Sequence, residues 1–252
     1  MTGIAITGAT GAMGRAVRER AAERADVTTT LLISRSPIST DDIPRVDPAQ
    51  FSDGLADATV DVIVDFTVPS ATMDALAAAV DNSVPMVVGT TGFSPSQQES
   101  LEAAAQSIPL LVAPNFSRGI QALIAGLEAT IERLPGYDIE LTETHHNRKR
   151  DAPSGTALRL LSVIEEARPA SSRIHGRSGD APRSSDEIGV HARRAGTIAG
   201  VHEVMAANND EVIQLTHRAE SRAVFANGAL DAAAWLDGKS PGWYRFAEVV
   251  ET

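Results

Sequence analysis

Thr2-Gly-Ile-Ala-Ile-Thr-Gly-Ala-Thr-Gly-Ala-Met-Gly14 is the stretch that decides the fold class of this chain. Its first half, Thr2 to Thr7, is a short apolar run. The second half places glycines at 8, 11 and 14 ahead of a stretch, Arg15 to Arg24, with alanine and valine on one side. The pattern predicts a strand, a glycine-rich turn and a helix, then a second strand over Val27 to Ile33 that stops at Ser34-Arg35. Glycine permits the tight turn and lets backbone N–H groups at a helix start approach a diphosphate. Glycines can also serve strand–helix packing alone, but a pattern that closes a strand and opens a helix favours nucleotide binding.

Working outward, Val60 to Phe66 is an almost continuous apolar strand, as expected when both faces of a parallel sheet are covered. Helices are expected over 70–80 and 95–106, and strands over Pro85 to Gly89 and Pro109 to Ala113. This alternation predicts an α/β fold with a doubly wound Rossmann-type parallel sheet up to about Asn115. The texture then changes. A helix over 118–133, a strand from Asp138 to Thr144 and a helix near Ser154 precede a polar stretch, 168–186, that reads as loop. Alternating segments at Gly189–Arg193, Gly200–Met205 and Glu211–Thr216 predict a smaller α+β domain with an open mixed sheet. A helix over 224–236 returns to the first domain. The expected division is 1–116 with 223–252 for dinucleotide binding, and 117–222 for substrate binding and oligomerisation.

The composition narrows the chemistry. Among 252 residues there is no cysteine, which removes disulfides, zinc–thiolate sites and thiol nucleophiles. A formal charge of −11 argues against a nucleic-acid surface, which needs a basic stripe. No apolar run reaches membrane-spanning length and no basic-then-apolar leader opens the chain, so a soluble cytoplasmic protein is expected. Only two lysines, Lys149 and Lys239, stand against twenty arginines. Acidity with scarce lysine points either to a salt-rich cell, because hydrated carboxylates keep a surface solvated while lysine adds an apolar stem, or to a coding bias that replaces lysine by arginine without selection on salt.

The end of the second strand bears on the nucleotide. An acidic residue there would hold a ribose 2′-hydroxyl and repel a 2′-phosphate. This chain has Ser34 and Arg35, with no carboxylate until Asp41. A hydroxyl and a guanidinium can bind the extra phosphate, so NADPH is expected to be preferred, with NADH a usable second donor.

Lys149 sits in the most chemically loaded stretch, where His145, His146 and Lys149 fall within five residues. Metal binding is the weaker reading, since the nearby carboxylates are Glu143 and Asp151 and ammonium is not a usual ligand. The bland alternative is a solvated loop, because Asn147 to Arg150 is a charge run. However, Asp151-Ala-Pro-Ser-Gly-Thr156 leads into a helix with Pro153, Ser154 and Thr156 all suited to its start. Free N–H groups and a positive dipole end beside His-His-Lys suit a small carboxylate substrate, with groups able to donate a proton.

Glu143-Thr-His-His-Asn-Arg-Lys-Arg-Asp-Ala-Pro-Ser-Gly-Thr-Ala157 is similar to the E-x-H-H-x-x-K-x-D-x-P-S-G-T-A motif of 4-hydroxy-tetrahydrodipicolinate (dihydrodipicolinate) reductases. Further blocks agree in order: Gly8–Arg15, Asp65-Phe-Thr67, Val88–Phe93, Asn115-Phe-Ser117 and Phe225–Gly228. The resemblance implies an NAD(P)H-dependent oxidoreductase of the diaminopimelate route to lysine, usually a homotetramer, acting on a small dicarboxylate. It implies that Gly8, Ala9, Thr10, Gly11, Ala12 and Met13 line the cofactor diphosphate, with Ser34 and Arg35 at the adenosine ribose. Gly89, Thr90, Thr91, Ala113, Pro114, Asn115 and Phe116 would lie along the nicotinamide side. His145 would be the general acid/base and Lys149 a proton donor that meets a substrate carboxylate, while His146, Gly155 and Thr156 would bind substrate. Domain closure, with hinges near Ser117 and Arg222, is implied in the same way. Pro114 replaces a common alanine, and the missing acidic residue after the second strand bears on cofactor preference.

Other classes fit less well. A short-chain dehydrogenase needs a Tyr-x-x-x-Lys pair, but four residues after Tyr137 and Tyr244 stand Leu141 and Glu248. A semialdehyde dehydrogenase needs a cysteine. Another NAD(P)-linked reductase of a small dicarboxylate, or a cofactor-sensing protein without turnover, remains as an alternative. His175, His191 and His202 show no partner in the sequence and are given structural roles, as are Arg194 and His217. Lys239 reads as an ordinary surface residue.

Overall fold

The computed structural model describes residues 1–38 and 43–251, so Asp41 lies outside the described residues. The chain divides into two compact units, Met1–Phe116 with Arg222–Thr252, and Ser117–Ser221.

The first unit is a seven-stranded parallel sheet. Its strands are β1 (Thr2–Thr7), β2 (Val27–Ile33), β3 (Arg45–Val46), β4 (Val62–Asp65), β5 (Met86–Val88), β6 (Pro109–Val112) and, from the end of the chain, β12 (Gly242–Tyr244). They run in the order β12-β6-β5-β4-β1-β2-β3. The order reverses at β1, so chain connections leave to both sides of the first strand. Alternate residues serve opposite layers. Ile4 and Ile6 join Val62 and Val64 beneath helices α1 (Ala12–Ala21) and α7 (Ala223–Leu236). Ala5, Ile63 and Met86 face α2 (Phe51–Asp57), α3 (Pro69–Asp81) and α4 (Pro95–Ala104). Ser94 closes a capping box at α4 with Gln97, and Pro95 supplies a preset first turn.

Several expectations needed correction. Helix α1 begins at Ala12 rather than Arg15, because Gly11 is its N-cap and Gly14 is inside the helix. A Cβ on Gly14 would lie 2.2 Å from the Gly8 carbonyl oxygen, so glycine is required there for close approach. The short elements β3, α2, β12 and α8 (Phe246–Val250) had no pattern long enough to show a period. Lys239 is more than a surface charge: its Nζ lies 4.0 Å above the Trp235 ring, a cation–π contact.

The second unit packs α5 (Arg118–Arg133) and α6 (Gly155–Ala167) on a five-stranded mixed sheet. The strands are β7 (Asp138–His145), β8 (Ser172–His175), β9 (Glu187–Arg194), β10 (Gly200–Ala207) and β11 (Val212–Ala219), ordered β11-β10-β7-β9-β8. Pairings β7–β9 and β8–β9 are parallel; β7–β10 and β10–β11 are antiparallel. Strand β8 lies within the stretch expected to be loop; it is four residues long, mostly exposed and held by pairing with β9. Serine caps both helices. Ser117 accepts from Ile120 N–H and Ser154 from Ala157 N–H. His217 on β11 meets the Ser117 hydroxyl at 3.0 Å, which gives this histidine a specific cap-holding role.

Candidate active site

In the first unit, the expected cofactor residues gather at the carboxyl ends of the parallel strands. Gly8 adopts φ +66°, the left-handed region that favours glycine, and accepts a backbone bond from Gly11. The N-cap, Gly11, has no side chain to cap the first turn of α1. The N–H groups of Ala12 and Met13 therefore start a helix whose N-terminus has the character of a diphosphate site. Ala9 N–H reaches the Ile33 carbonyl, and Thr10 and Ser34 hydroxyls stand 3.3 Å apart. The Ser34 hydroxyl donates to the Ser36 carbonyl and accepts from its N–H, while the Arg35 side chain is exposed. Gly89 lies against Phe66, where a Cβ would fall 2.0 Å from the ring. Thr90 is buried, Thr91 is exposed, and Ala113 N–H bonds to the Val88 carbonyl. Pro114 is exposed and Asn115 half-buried; Phe116 is buried edge-on to Phe66 and Phe246.

Beneath these loops lies a buried carboxylate. Asp65, fully buried at the end of β4, accepts from the hydroxyls of Thr7, Thr67 at 2.8 Å, Thr72 at 2.7 Å and Thr90 at 2.7 Å. Thr90 in turn accepts from Thr67 N–H at 2.9 Å. One side chain thus ties the ends of β1, β4 and β5 and the start of α3.

In the second unit, pairing register assembles the chemistry. On β7 the inward residues run Ile139, Leu141, Glu143, His145, so the apolar face continues into two polar groups. Glu143 pairs with His202 on β10, and His145 with Arg194 on β9. Three strands therefore present four polar side chains on one face, where α6 begins. Glu143 is fully buried. It accepts from His145 Nδ1 at 2.5 Å, from Arg194 at 2.9 and 2.7 Å, and from Ser154 N–H at 3.2 Å. Burial opposes its ionisation, but the bonds from Arg194 and His145 override this and hold its carboxyl below the usual range. Burial, joined by the Lys149 and Arg194 charges, lowers the His145 pKa against the opposing pull of Glu143 and leaves it below the usual value.

The loop after β7 folds back on the same face. Lys149 N–H bonds to the His146 carbonyl, and Lys149 Nζ pairs with Asp151 at 2.9 Å. His146 is half-buried, Gly155 is exposed and Thr156 half-buried at the start of α6. Through Glu143 the structure links His145 to Ser154, the residue before Gly155 and Thr156, while His146 and Lys149 lie in the loop between them. Such a cluster offers a proton-exchanging ring, an ammonium and a helix N-terminus to an anionic molecule.

Sequence reasoning missed Glu143, Arg194 and His202. The i, i+2 spacing of Glu143 and His145 on a strand was a usable signal, since it puts both on one face. Arg194 and His202, given structural roles, carry side-chain bonds into this cluster. His202 packs edge-on against His145 at 5.1 Å, and its Nε2 meets the Ser154 hydroxyl at 3.1 Å. His191 also has a partner, Glu140 at 2.6 Å on the opposite face of the sheet.

His202 gives a pH prediction. Burial, with the neighbouring His145, pushes it down to about 3 from 6.5. A pKa lowered on folding means that stability is full above 6.5 and is lost as pH falls toward about 3. The expected loss approaches about 1.4 kcal/mol per pH unit within that window. Urea midpoints from pH 7.5 to 4.5 should fall more steeply for the native chain than for His202→Gln. Parallel curves would remove His202 from the account of acid sensitivity.

Comparison with known proteins adds an independent line. The family description "Dihydrodipicolinate reductase, N-terminus" matches residues 2–116, and "Dihydrodipicolinate reductase, C-terminus" matches 119–250. A 4-hydroxy-tetrahydrodipicolinate reductase of Haloarcula marismortui is 51% identical over 251 residues, covering 100% of both chains. One of Natronomonas pharaonis is 51% identical over 249 residues, covering 98% of this chain and 99% of its own. Among solved structures, a dipicolinate-bound dihydrodipicolinate reductase from Paenisporosarcina sp. TG-14 superposes with a TM-score of 0.81 at 22% identity, covering 97% of each chain. At that identity the likeness concerns the fold.

Proposed function

The chain belongs to the dihydrodipicolinate reductase family, and from that premise we propose that Lys149 and His145 manage the proton of its reaction and that its cofactor is NADPH by preference. The reaction is the NAD(P)H-dependent reduction of 4-hydroxy-tetrahydrodipicolinate to tetrahydrodipicolinate in the diaminopimelate route of lysine biosynthesis. The observation that carries the site assignment is the convergence of His145, Lys149 and the α6 N-terminus on one edge of the second unit.

The glycine turn fits a dinucleotide: Gly8 and Gly14 let the turn close tightly on the helix start, where a Cβ would strike the Phe66 and Gly8 backbone, and the N-cap Gly11 puts no side chain over the first turn of α1. Gly8, Ala9, Thr10, Gly11, Ala12 and Met13 would hold the diphosphate. Gly89, Thr90, Thr91, Ala113, Pro114, Asn115 and Phe116 would border the nicotinamide, which when bound supplies the hydride. As the substrate ring is reduced, electron density moves toward its C3 and nitrogen, and a proton must meet it. Lys149 carries an ammonium proton on a flexible stem and balances a substrate carboxylate. The lowered pKa of His145 makes its free ring largely neutral near pH 7, suited to accept and pass on a proton. His146, Gly155 and Thr156 would bind the second carboxylate at the helix start.

Ser34 already spends its hydroxyl on Ser36, so the 2′-phosphate preference rests mainly on exposed Arg35. Following absorbance loss with synthase product as substrate, kcat/KM should favour NADPH over NADH by about tenfold, the scale of one charge-assisted contact. Arg35→Ala should collapse the ratio. A native ratio favouring NADH would refute the preference; no turnover with either would refute the activity. We further place the protein in the cytoplasm as a homotetramer built on the open sheet, whose strand β11 leaves Val212 56% exposed.

A further inference from the structure

Glu143 belongs to none of the roles assigned above, yet this fully buried side chain accepts four hydrogen bonds, from His145, Ser154 and twice from Arg194. It is an ionised acceptor with Arg194 on both oxygens, so it has no proton to offer. Its contact with His145 is therefore a bond that the ring must donate from Nδ1. The other nitrogen, Nε2, is left facing Gly200, where there is no side chain; a Cβ there would stand 3.1 Å away. The same carboxylate accepts from Ser154 N–H, the residue that caps α6 immediately before Gly155 and Thr156.

We propose that Glu143, backed by Arg194, is a positioning residue of the reaction: it fixes His145 as the Nδ1–H tautomer with Nε2 as the working nitrogen, and locks that ring to the start of α6. The inference rests on the assignment of His145 to the proton-handling site. It goes further by naming the nitrogen, the tautomer and the group that selects them. The logic is that of any base oriented by a buried carboxylate: a ring held in the wrong tautomer offers a proton where a lone pair is needed. Arg194 completes the arrangement by also donating to the Asp151 carbonyl at 2.7 Å, which ties the Lys149 loop to the same centre.

The charged and titratable groups facing His145 are Glu143 on β7, Lys149 in the following loop, Arg194 on β9 and His202 on β10. Of these, Glu143 alone favours the protonated ring. In Glu143→Gln, Arg194 would claim the amide oxygen, and the amide N–H would be left facing His145 Nδ1, which must then accept. The variant should lose about 100-fold or more in kcat. The NADPH dissociation constant should stay within about twofold, since cofactor residues lie in the other unit. The ring should titrate at lower pH, moving the corresponding limb of the pH–rate profile the same way.

Nitrogen NMR of the histidine rings reads the tautomer directly, and the native protein alone is a sufficient test. At neutral pH the His145 proton should lie on Nδ1, and in Glu143→Gln it should shift toward Nε2. A native ring protonated on Nε2 would overturn the proposal even if the variant failed to fold. Unchanged kcat and tautomer in a folded variant would do the same. Failure of the underlying reading looks different: His145→Ala would then turn over at the native rate, whatever tautomer the ring adopts.

Discussion

Replacing Lys149 by alanine is expected to lower kcat by about 10²–10⁴-fold, the usual contribution of a positioned proton donor. That corresponds to about 3–5 kcal/mol of transition-state stabilisation. NADPH binding should stay within about twofold of native, because the glycine turn belongs to the other unit. His145→Ala should show the same split between kcat and cofactor binding. Lys149→Arg is the sharper variant. Arginine keeps the charge and can hold a carboxylate, but it does not surrender a proton near neutral pH. If Lys149 delivers the proton, this variant should keep most of its substrate affinity and lose kcat. If Lys149 only binds a carboxylate, kcat should return nearly to native. Stopped-flow oxidation of NADPH under single-turnover conditions makes the comparison without interference from product release. Native turnover in Lys149→Ala would remove the residue from the mechanism.

Asp65→Ala should damage the first unit comparably. The substitution withdraws one acceptor from four hydroxyls, those of Thr7, Thr67, Thr72 and Thr90. An unsatisfied buried donor costs about 1–3 kcal/mol. The total falls short of four such terms, because Thr72 and Thr67 can turn to the Val68 carbonyl and Thr7 to that of Val64. Relief from holding a buried carboxylate offsets part of the remainder. A net loss of about 2–4 kcal/mol is expected in urea unfolding. The same loss should loosen the turn after β1 and the loop after β5 together, weakening NADPH binding by about tenfold or more. Titration of NADPH fluorescence would measure this independently of turnover. Native stability and native affinity in the variant would show that the four threonines repack without the carboxylate.

Much of this protein was legible from its residues, for reasons that can be stated. Thr2 to Gly14 announced a strand, turn and helix because a buried parallel strand must be apolar on both faces and the turn demands glycine. The segment from Glu143 to Ala157 brought its ring, its ammonium and its helix start together because they are neighbours in the chain. The helix boundary at Ala12 escaped, since a glycine inside a helix looks like a turn until the close approach to Gly8 is seen. Strand β8 escaped because four largely exposed residues carry no alternation of their own and depend on β9 for their shape.

By itself, then, the sequence determined the α/β class, the glycine-rich turn that opens the first helix and the chemical character of the His-His-Lys segment. Those are properties of local periodicity and of residues adjacent in the chain. Tertiary structure alone decided which groups serve that segment. Arg194 is 51 residues from Glu143 and His202 is 48 from Ser154, so only strand register could set them on one face. A buried carboxylate must find its donors wherever the fold provides them, and no local pattern encodes that choice.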